Sequence, residues 1–337
     1  MSAFKFELLK NSKKKLIRTK RKFASMTSSV VIPTRNRTTD LNGTLPTLLE
    51  QTHVPDEILI VDQSSDDSTR KVVQEFTTKV AMSQRATPRF IYLHEPNAVG
   101  AGAARNLAIS QAKGDVLVFL DDDVLLEPDF LEEILSVYQR NPKIGGVSGV
   151  ITNYSRPPLS QRVMRRIFRV GPFHDERQPI YWDADRLRNA SPFPIRKFTG
   201  CVMSVRRSAL GKDRFDDLYK GAGSEDVDLT WRLSERWLLV MTPRARLFHV
   251  RTQLGNTRDP WLTYDIKCDY YLFYRLWNMS IKNRLCFAWL SLGYVLLAMC
   301  ASVKRGSLVP WRAFVQGIRI GREQVEFSRG SSKVAGR

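Results

Sequence analysis

Short continuous apolar runs alternate with helix-period stretches along the first half of the chain. Ser29-Val30-Val31-Ile32-Pro33 reads as a strand and residues 41–49 as a helix. Glu57-Ile58-Leu59-Ile60-Val61-Asp62 reads as a second strand, followed by a polar loop over 63–68 and a helix over about 69–76. A third strand at 89–93, a helix at 101–111 and a fourth strand at 116–120 complete the series. Strands that are apolar on both faces need cover on both faces. The alternation therefore predicts an α/β fold, a mostly parallel sheet with helices on either side. Residues 145–151 are expected to return to the sheet, 198–205 to resume strand character, 207–210 to start a short helix, and 225–233 to form a helix behind the loop 221–224. The intervening segment 153–191, rich in Arg, Pro and aromatics, is expected to be irregular cover over a site and not a second core.

In an open α/β sheet, ligands collect outside the carboxyl ends of the strands. Here those ends carry Pro33-Thr34-Arg35, Asp62 and Asp121-Asp122-Asp123. Side chains alternate along an extended chain, so Asp121 and Asp123 can face one side and share a hard divalent cation. An acidic turn ahead of a helix is the plainer reading, and Pro128 suits such a helix start. A second acidic centre, Glu225-Asp226, stands about a hundred residues further on, directly after a glycine-bearing loop. Its acids can complement a helix N-terminus, with Ser224 as cap, or one can accept a proton from an alcohol activated beside the first centre. No GxGxxG follows the first strand and no GxxxxGK[ST] occurs, which removes support for a dinucleotide fold or a P-loop.

Charge sharpens the question of partners. The formal net charge is +19, with a pI near 10.0, and nine Lys and Arg crowd residues 1–22 against the single acid Glu7. Leu8, Leu9, Leu16, Ile17 and Phe23 are interspersed there, as in a basic amphipathic segment that seeks an anionic surface; no apolar signal core follows. Residues 285–303 form an uncharged, mostly apolar stretch long enough to cross a bilayer. Basic residues flank it on both sides, Lys282 and Arg284 before and Lys304, Arg305 and Arg312 after, which suits an interfacial or dipping helix better than a single span. The four cysteines, Cys201, Cys268, Cys286 and Cys300, lack close paired spacing and read as buried thiols, neither a zinc site nor a disulfide framework. A length of 337 residues accommodates a basic leader (1–27), a catalytic domain (28–255) and a helical, membrane-associated C-terminal region (256–337).

Taken in order, Val30 to Asn36, Glu57 to Asp62, Asn97 through Arg105-Asn106, Phe119 to Asp123, Phe198-Thr199-Gly200 and Gly223-Ser224-Glu225-Asp226 resemble the motifs of the family-2 inverting glycosyltransferases of the GT-A fold, over roughly residues 28–250. The resemblance implies a GT-A, nucleotide-diphospho-sugar transferase-like sheet and a nucleotide-diphosphate sugar donor. It implies that Pro33, Thr34, Arg35 and Asp62 line the nucleotide pocket, with Arg105 in support. Asp121 and Asp123 take the DxD places that reach the ribose and a Mn or Mg ion, with Asp122 among the donor-binding group. Asp226 corresponds to the catalytic base and Glu225 to a residue that positions the acceptor or the loop. Relatives place a metal-ligating histidine near His249, although a lone histidine in apolar company also serves structure.

The loop after Asp62 departs from the family pattern: Gln63-Ser64-Ser65 stands where many relatives have a second Asp followed by Gly-Ser. The QxxRW signature of processive members is missing, since Arg236-Trp237 lacks its glutamine, so addition of one sugar is expected. A saccharide or polyprenyl-linked acceptor would meet the enzyme at the anionic cytoplasmic face of a membrane, in cell-surface polysaccharide synthesis. A metal-dependent nucleotidyl- or phosphoryl-transferring enzyme could use the same acids and arginines. A non-catalytic membrane or nucleic-acid binding protein is the alternative outside enzymes, but the leader lacks aromatics spaced for base stacking, so no nucleic acid is expected.

Overall fold

A computed structural model describes residues 26–82, 87–154, 156, 159–216, 224–250, 261–276 and 279–334. Most of the basic leader, the loop residues 221–223 and the expected boundary at 255 lie outside the described residues. The elements run β1 (Ser28–Thr34), α1 (Thr38–Leu49), β2 (Glu57–Asp62), α2 (Ser68–Ala81), β3 (Arg89–His94), α3 (Ala101–Gln111), β4 (Val116–Leu120), β5 (Val124–Leu126), α4 (Phe130–Arg140), β6 (Ile144–Ile151), α5 (Leu159–Phe168), α6 (Arg177–Trp182), β7 (Phe193–Pro194), β8 (Val202–Arg206), α7 (Arg207–Leu210), α8 (Glu225–Ser234), β9 (Leu238–His249), α9 (Trp261–Arg275), α10 (Ile281–Arg305) and α11 (Val309–Val334).

One sheet takes all the strands, in the order β3-β2-β1-β4-β8-β6-β9-β5, with β7 on β9. It is parallel through β3-β2-β1-β4, where helices return the chain between strands. Every residue of β1, β2 and β4 is buried, as strands covered on both faces require. Beyond β4 the sheet is mixed. Strand β8 enters antiparallel to both β4 and β6, while β9 runs parallel to β6 and antiparallel to β5. This reversal decides the site. The register Leu120↔Val202 sets Gly200 and Cys201 beside Asp121 at the carboxyl edge, and Val124↔His249 sets His249 beside Asp123.

Three local expectations are corrected. The segment 153–191 is not irregular: it holds α5, a 3-10 turn at Gly171–Phe173 and α6. Phe168 and Phe173 from it join a second apolar cluster with Val227, Leu262, Phe273, Leu290, Tyr294 and Phe314, so this cover is tied to the C-terminal helices. Residues 198–201 are a turn ahead of β8, with the Val202 N–H donating to Thr199 O at 3.0 Å, because the Phe198 and Gly200 N–H groups are taken by α8. The chain after Asp123 pairs as β5 before α4 begins at Phe130, two residues beyond Pro128.

Between Ser148 and Val150 the β6–β9 register slips, and a Cβ at Gly149 would lie 2.5 Å from the Ala245 carbonyl oxygen. Only a residue without a side chain permits that backbone approach. Gly149→Ala is expected to destabilise the protein by about 1–3 kcal/mol, seen as a lower urea midpoint with an unchanged m-value.

Candidate active site

The carboxyl edge gathers acids from two places, Asp121 to Asp123 after β4 and Glu225 at the start of α8, and holds them with two arginines and a histidine. Asp122 turns inward, 2% exposed, where its carboxylate accepts from Thr34 Oγ1 at 2.7 Å and pairs with Arg37 Nη1 at 2.8 Å. Burial pushes its carboxyl up to about 7 against the pull of Arg37 and Thr34. Asp122, expected with the donor-binding group, thus anchors β1 and α1, with its carbonyl accepting from Thr44 at 2.7 Å. Asp123 accepts from Arg37 Nη2 at 2.6 Å on one oxygen and lies 2.9 Å from His249 Nε2 on the other. Burial opposes its ionisation, but the His249 and Arg37 contacts outweigh burial and hold the carboxyl below its usual range. Asp121 is the more exposed acid, 3.0 Å from Arg105 Nη2 and 4.0 Å from His249 Nε2.

Arg105 lies on α3, 2% exposed, and its fork spans two centres: Nη2 reaches Asp121 and Nη1 reaches Glu225 Oε1 at 2.9 Å. The Phe215 ring lies 5.4 Å beneath the guanidinium, and a Cβ at Gly200 would meet it at 2.8 Å. Burial penalises this charge, yet Asp121, Glu225 and Asp226 together hold it raised. Glu225 in turn is raised by burial and by Asp226, partly relieved by Arg105, and its Oε2 has no hydrogen-bond partner among the described residues.

Asp226 is half-buried, and its Oδ2 accepts the Gly200 N–H at 2.7 Å. Ser224 does not cap α8 through its side chain; it sits at φ 100°, an unusual backbone conformation for a residue with a Cβ. An acid of this turn takes up part of that role, since Asp226 Oδ1 accepts the Val227 N–H at 2.7 Å, one of the first N–H groups of the helix. Behind them, the pair Arg177–Asp175 braces the 198–200 turn: Arg177 donates to Phe198 O at 2.7 Å, and Tyr181 to Thr199 Oγ1 at 3.0 Å. Lys197 adds bonds to the carbonyls of Pro172 and His174 at 2.8 and 2.6 Å.

Asp121, Cys201 and His249 each place one ligand atom within 4.8 Å of the other two. Burial and Asp121 push the Cys201 thiol well up, so it stays a soft, protonated neighbour. Carboxylate and imidazole are the donors that suit Mn, and carboxylate suits Mg. Of that cluster, Asp121 and His249 offer the donors that fit such an ion, with Asp123 hydrogen-bonded beside them.

At the end of β1, Pro33 and Thr34 are buried, and Arg35 is exposed. Asp62 is fully buried at the end of β2, accepting from Tyr92 OH and from the Ser64 N–H at 2.5 and 2.9 Å. Sequence reading missed Arg37, the counter-charge of the acid cluster, and the bracing by Arg177 and Lys197. Arg37 stands one residue past the quoted motif, whereas nothing local marks the brace, which depends on tertiary contact.

A family model described as Glycosyl transferase family 2 matches residues 29–212. The chain is 27% identical over 256 residues to a validoxylamine A glucosyltransferase of Streptomyces hygroscopicus subsp. limoneus, covering 70% of this chain and 55% of that one. It is 28% identical over 252 residues to an O-antigen biosynthesis protein, RfbC, of Myxococcus xanthus, covering 70% of this chain and 18% of that one. The chain thus spans about half or less of the length of these curated relatives. Among solved structures it is similar to mannosyltransferase PcManGT from Pyrobaculum calidifontis, in complex with GDP-Man and Mn2+, with a TM-score of 0.57 at 16% identity over 97% of this chain and 93% of that one. That likeness is one of fold.

Two measurements probe the buried charges. Arg105→Met strands Asp121 and Glu225 and is expected to cost about 3–5 kcal/mol in chemical denaturation. Burial lowers Lys197 to about 8 from 10.5, so between those values the unfolded chain binds more protons and stability rises with pH. Relative to Lys197→Met, the wild type should gain on the order of 3 kcal/mol from pH 8 to 10.5, read from paired denaturation curves.

Proposed function

The chain belongs to glycosyl transferase family 2, and from that premise we propose that it moves one sugar, with inversion, from a nucleotide-diphosphate sugar to a saccharide or lipid-linked acceptor. The observation that carries the reading is the fork of Arg105, which ties Asp121 at the sheet edge to Glu225 beside Asp226. Donor-holding and acceptor-activating acids are thereby kept in one rigid frame, as a single displacement needs.

In this reading Asp226 is the general base. The Gly200 N–H fixes one of its oxygens and so aims the carboxylate, which takes the proton of the acceptor hydroxyl. The acceptor oxygen bonds to the anomeric carbon as the carbon–oxygen bond to diphosphate breaks, and the nucleoside diphosphate leaves with that electron pair. No covalent sugar intermediate forms, so no nucleophile is assigned. Glu225 positions the acceptor side, while Pro33, Thr34, Arg35 and Asp62 border the nucleotide. A Mn or Mg ion held by Asp121, Asp123 and His249 would supply stabilisation of charge on the departing diphosphate. The acceptor is presented at the anionic cytoplasmic face of a membrane, in cell-surface polysaccharide synthesis. The apolar length of α10 and the O-antigen biosynthesis role of the Myxococcus relative support that placement.

Purified protein is expected to hydrolyse one or a few of a panel of UDP-, GDP- and dTDP-sugars in a Mn-dependent way, releasing nucleoside diphosphate. Asp226→Asn and Asp123→Ala should each lower kcat by about 10²–10⁴-fold, and NMR of the transfer product should show the inverted anomer. Release of pyrophosphate, or a retained anomer, would sink the reading.

A further inference from the structure

Helix α10 is apolar on two faces, and only one of them is covered by protein. Leu290, Gly293, Tyr294 and Ala298 are buried against the rest of the chain. On the other side Leu285, Trp289, Leu292, Leu296, Met299 and Val303 are 39–84% exposed. Their spacing of four, three, four, three and four residues keeps them in one stripe along the helix, about 27 Å long at 1.5 Å per residue.

A second stripe lies beside it. On α5, Leu159, Val163 and Ile167 recur every four residues and are 46–68% exposed, while Met164 and Phe168 turn towards the apolar cluster. The two helices are joined where the Trp289 indole N–H donates to Ile167 O at 2.8 Å and its ring lies 4.9 Å from Phe168. Neither helix contains an acidic residue, and cations flank both: Arg162 and Arg166 on α5, Lys282, Arg284, Lys304 and Arg305 at the two ends of α10.

The midpoint of α10 rules out a helix encircled by lipid. Tyr294 there donates to Asp269, and Arg169 donates to Tyr294 OH at 2.8 Å and to Asp269 at 2.7 Å. A transbilayer α10 would carry this charged cluster to the centre of the hydrocarbon, the costliest depth for a charge. With cations at both ends, the helix matches an amphipathic element lying in an interface instead.

We propose that α10 and α5 together form an in-plane docking face for an anionic bilayer, with both ends of α10 on the same side and the two stripes sunk to the acyl boundary. This deepens the membrane attachment proposed above and names the surface that makes it. Charge selects this occupant over the two others available. A second copy would bring another chain of net charge +19 against the same cations, and the basic leader would do likewise.

The test uses the full chain with Cys286→Ser and Cys300→Ser, leaving Cys201 and Cys268 buried, plus Lys282→Cys and Lys304→Cys. The protein is reconstituted by detergent removal into sealed vesicles of phosphatidylcholine and phosphatidylglycerol and treated with a membrane-impermeant maleimide. Intact mass then counts labels per chain. An in-plane α10 gives two labels or none; a crossing helix gives one, and that result overturns the proposal. Leu292→Glu with Met299→Glu should weaken vesicle flotation by at least about tenfold while leaving Mn-dependent hydrolysis of a soluble donor intact, so docking and chemistry fail separately. Undiminished flotation of that variant, a lipid-free dimer that the variant abolishes, or a Leu292→Cys probe in the Cys286→Ser, Cys300→Ser background that becomes reactive without lipid only after deletion of residues 1–25 would each refute the bilayer as occupant.

Discussion

One buried guanidinium organises this protein. Arg105 has almost no contact with water, and its charge is tolerable only because Asp121 and Glu225 take its two terminal nitrogens. Those acids come from opposite ends of the chain's logic, one at the tip of a parallel strand and one at the start of a helix more than a hundred residues later. The same constraint explains nearby choices. Gly200 leaves room for the fork, the ring of Phe215 supports it, and the turn that carries Gly200 delivers the N–H that holds Asp226.

The parallel half of the sheet was legible because its strands must be apolar on both faces. Runs such as Ile58 to Val61 admit one assignment once helix-period segments flank them. The mixed half was harder to read. Strand β9 is twelve residues long and includes Thr242, Pro243 and two arginines. Its register slips at Ser148–Val150, so periodicity alone understates it. The helices of 159–182 were hidden by their arginines. Those side chains are drawn inward by Asp175, Asp265 and Asp269, partners that lie far away in sequence or reveal their role only once folded.

The site divides in the same way. Acids at strand ends announce themselves, since nothing in a core accounts for Asp121 to Asp123. What sequence could not supply is which of three adjacent carboxylates faces inward. Pairing with Thr34 and Arg37 settles that for Asp122. His249 gains meaning only through the register of β5 on β9, which lays it against Asp123.

Val227 follows Asp226 directly, and it packs in the same cluster as Leu290 and Tyr294 of α10. The proposed base and the proposed docking face are therefore parts of one solid body. On that geometry the carboxylate rides at a constant height above the bilayer. The enzyme would then act as a gauge, selecting an acceptor hydroxyl by its elevation from the lipid as much as by the sugar that bears it.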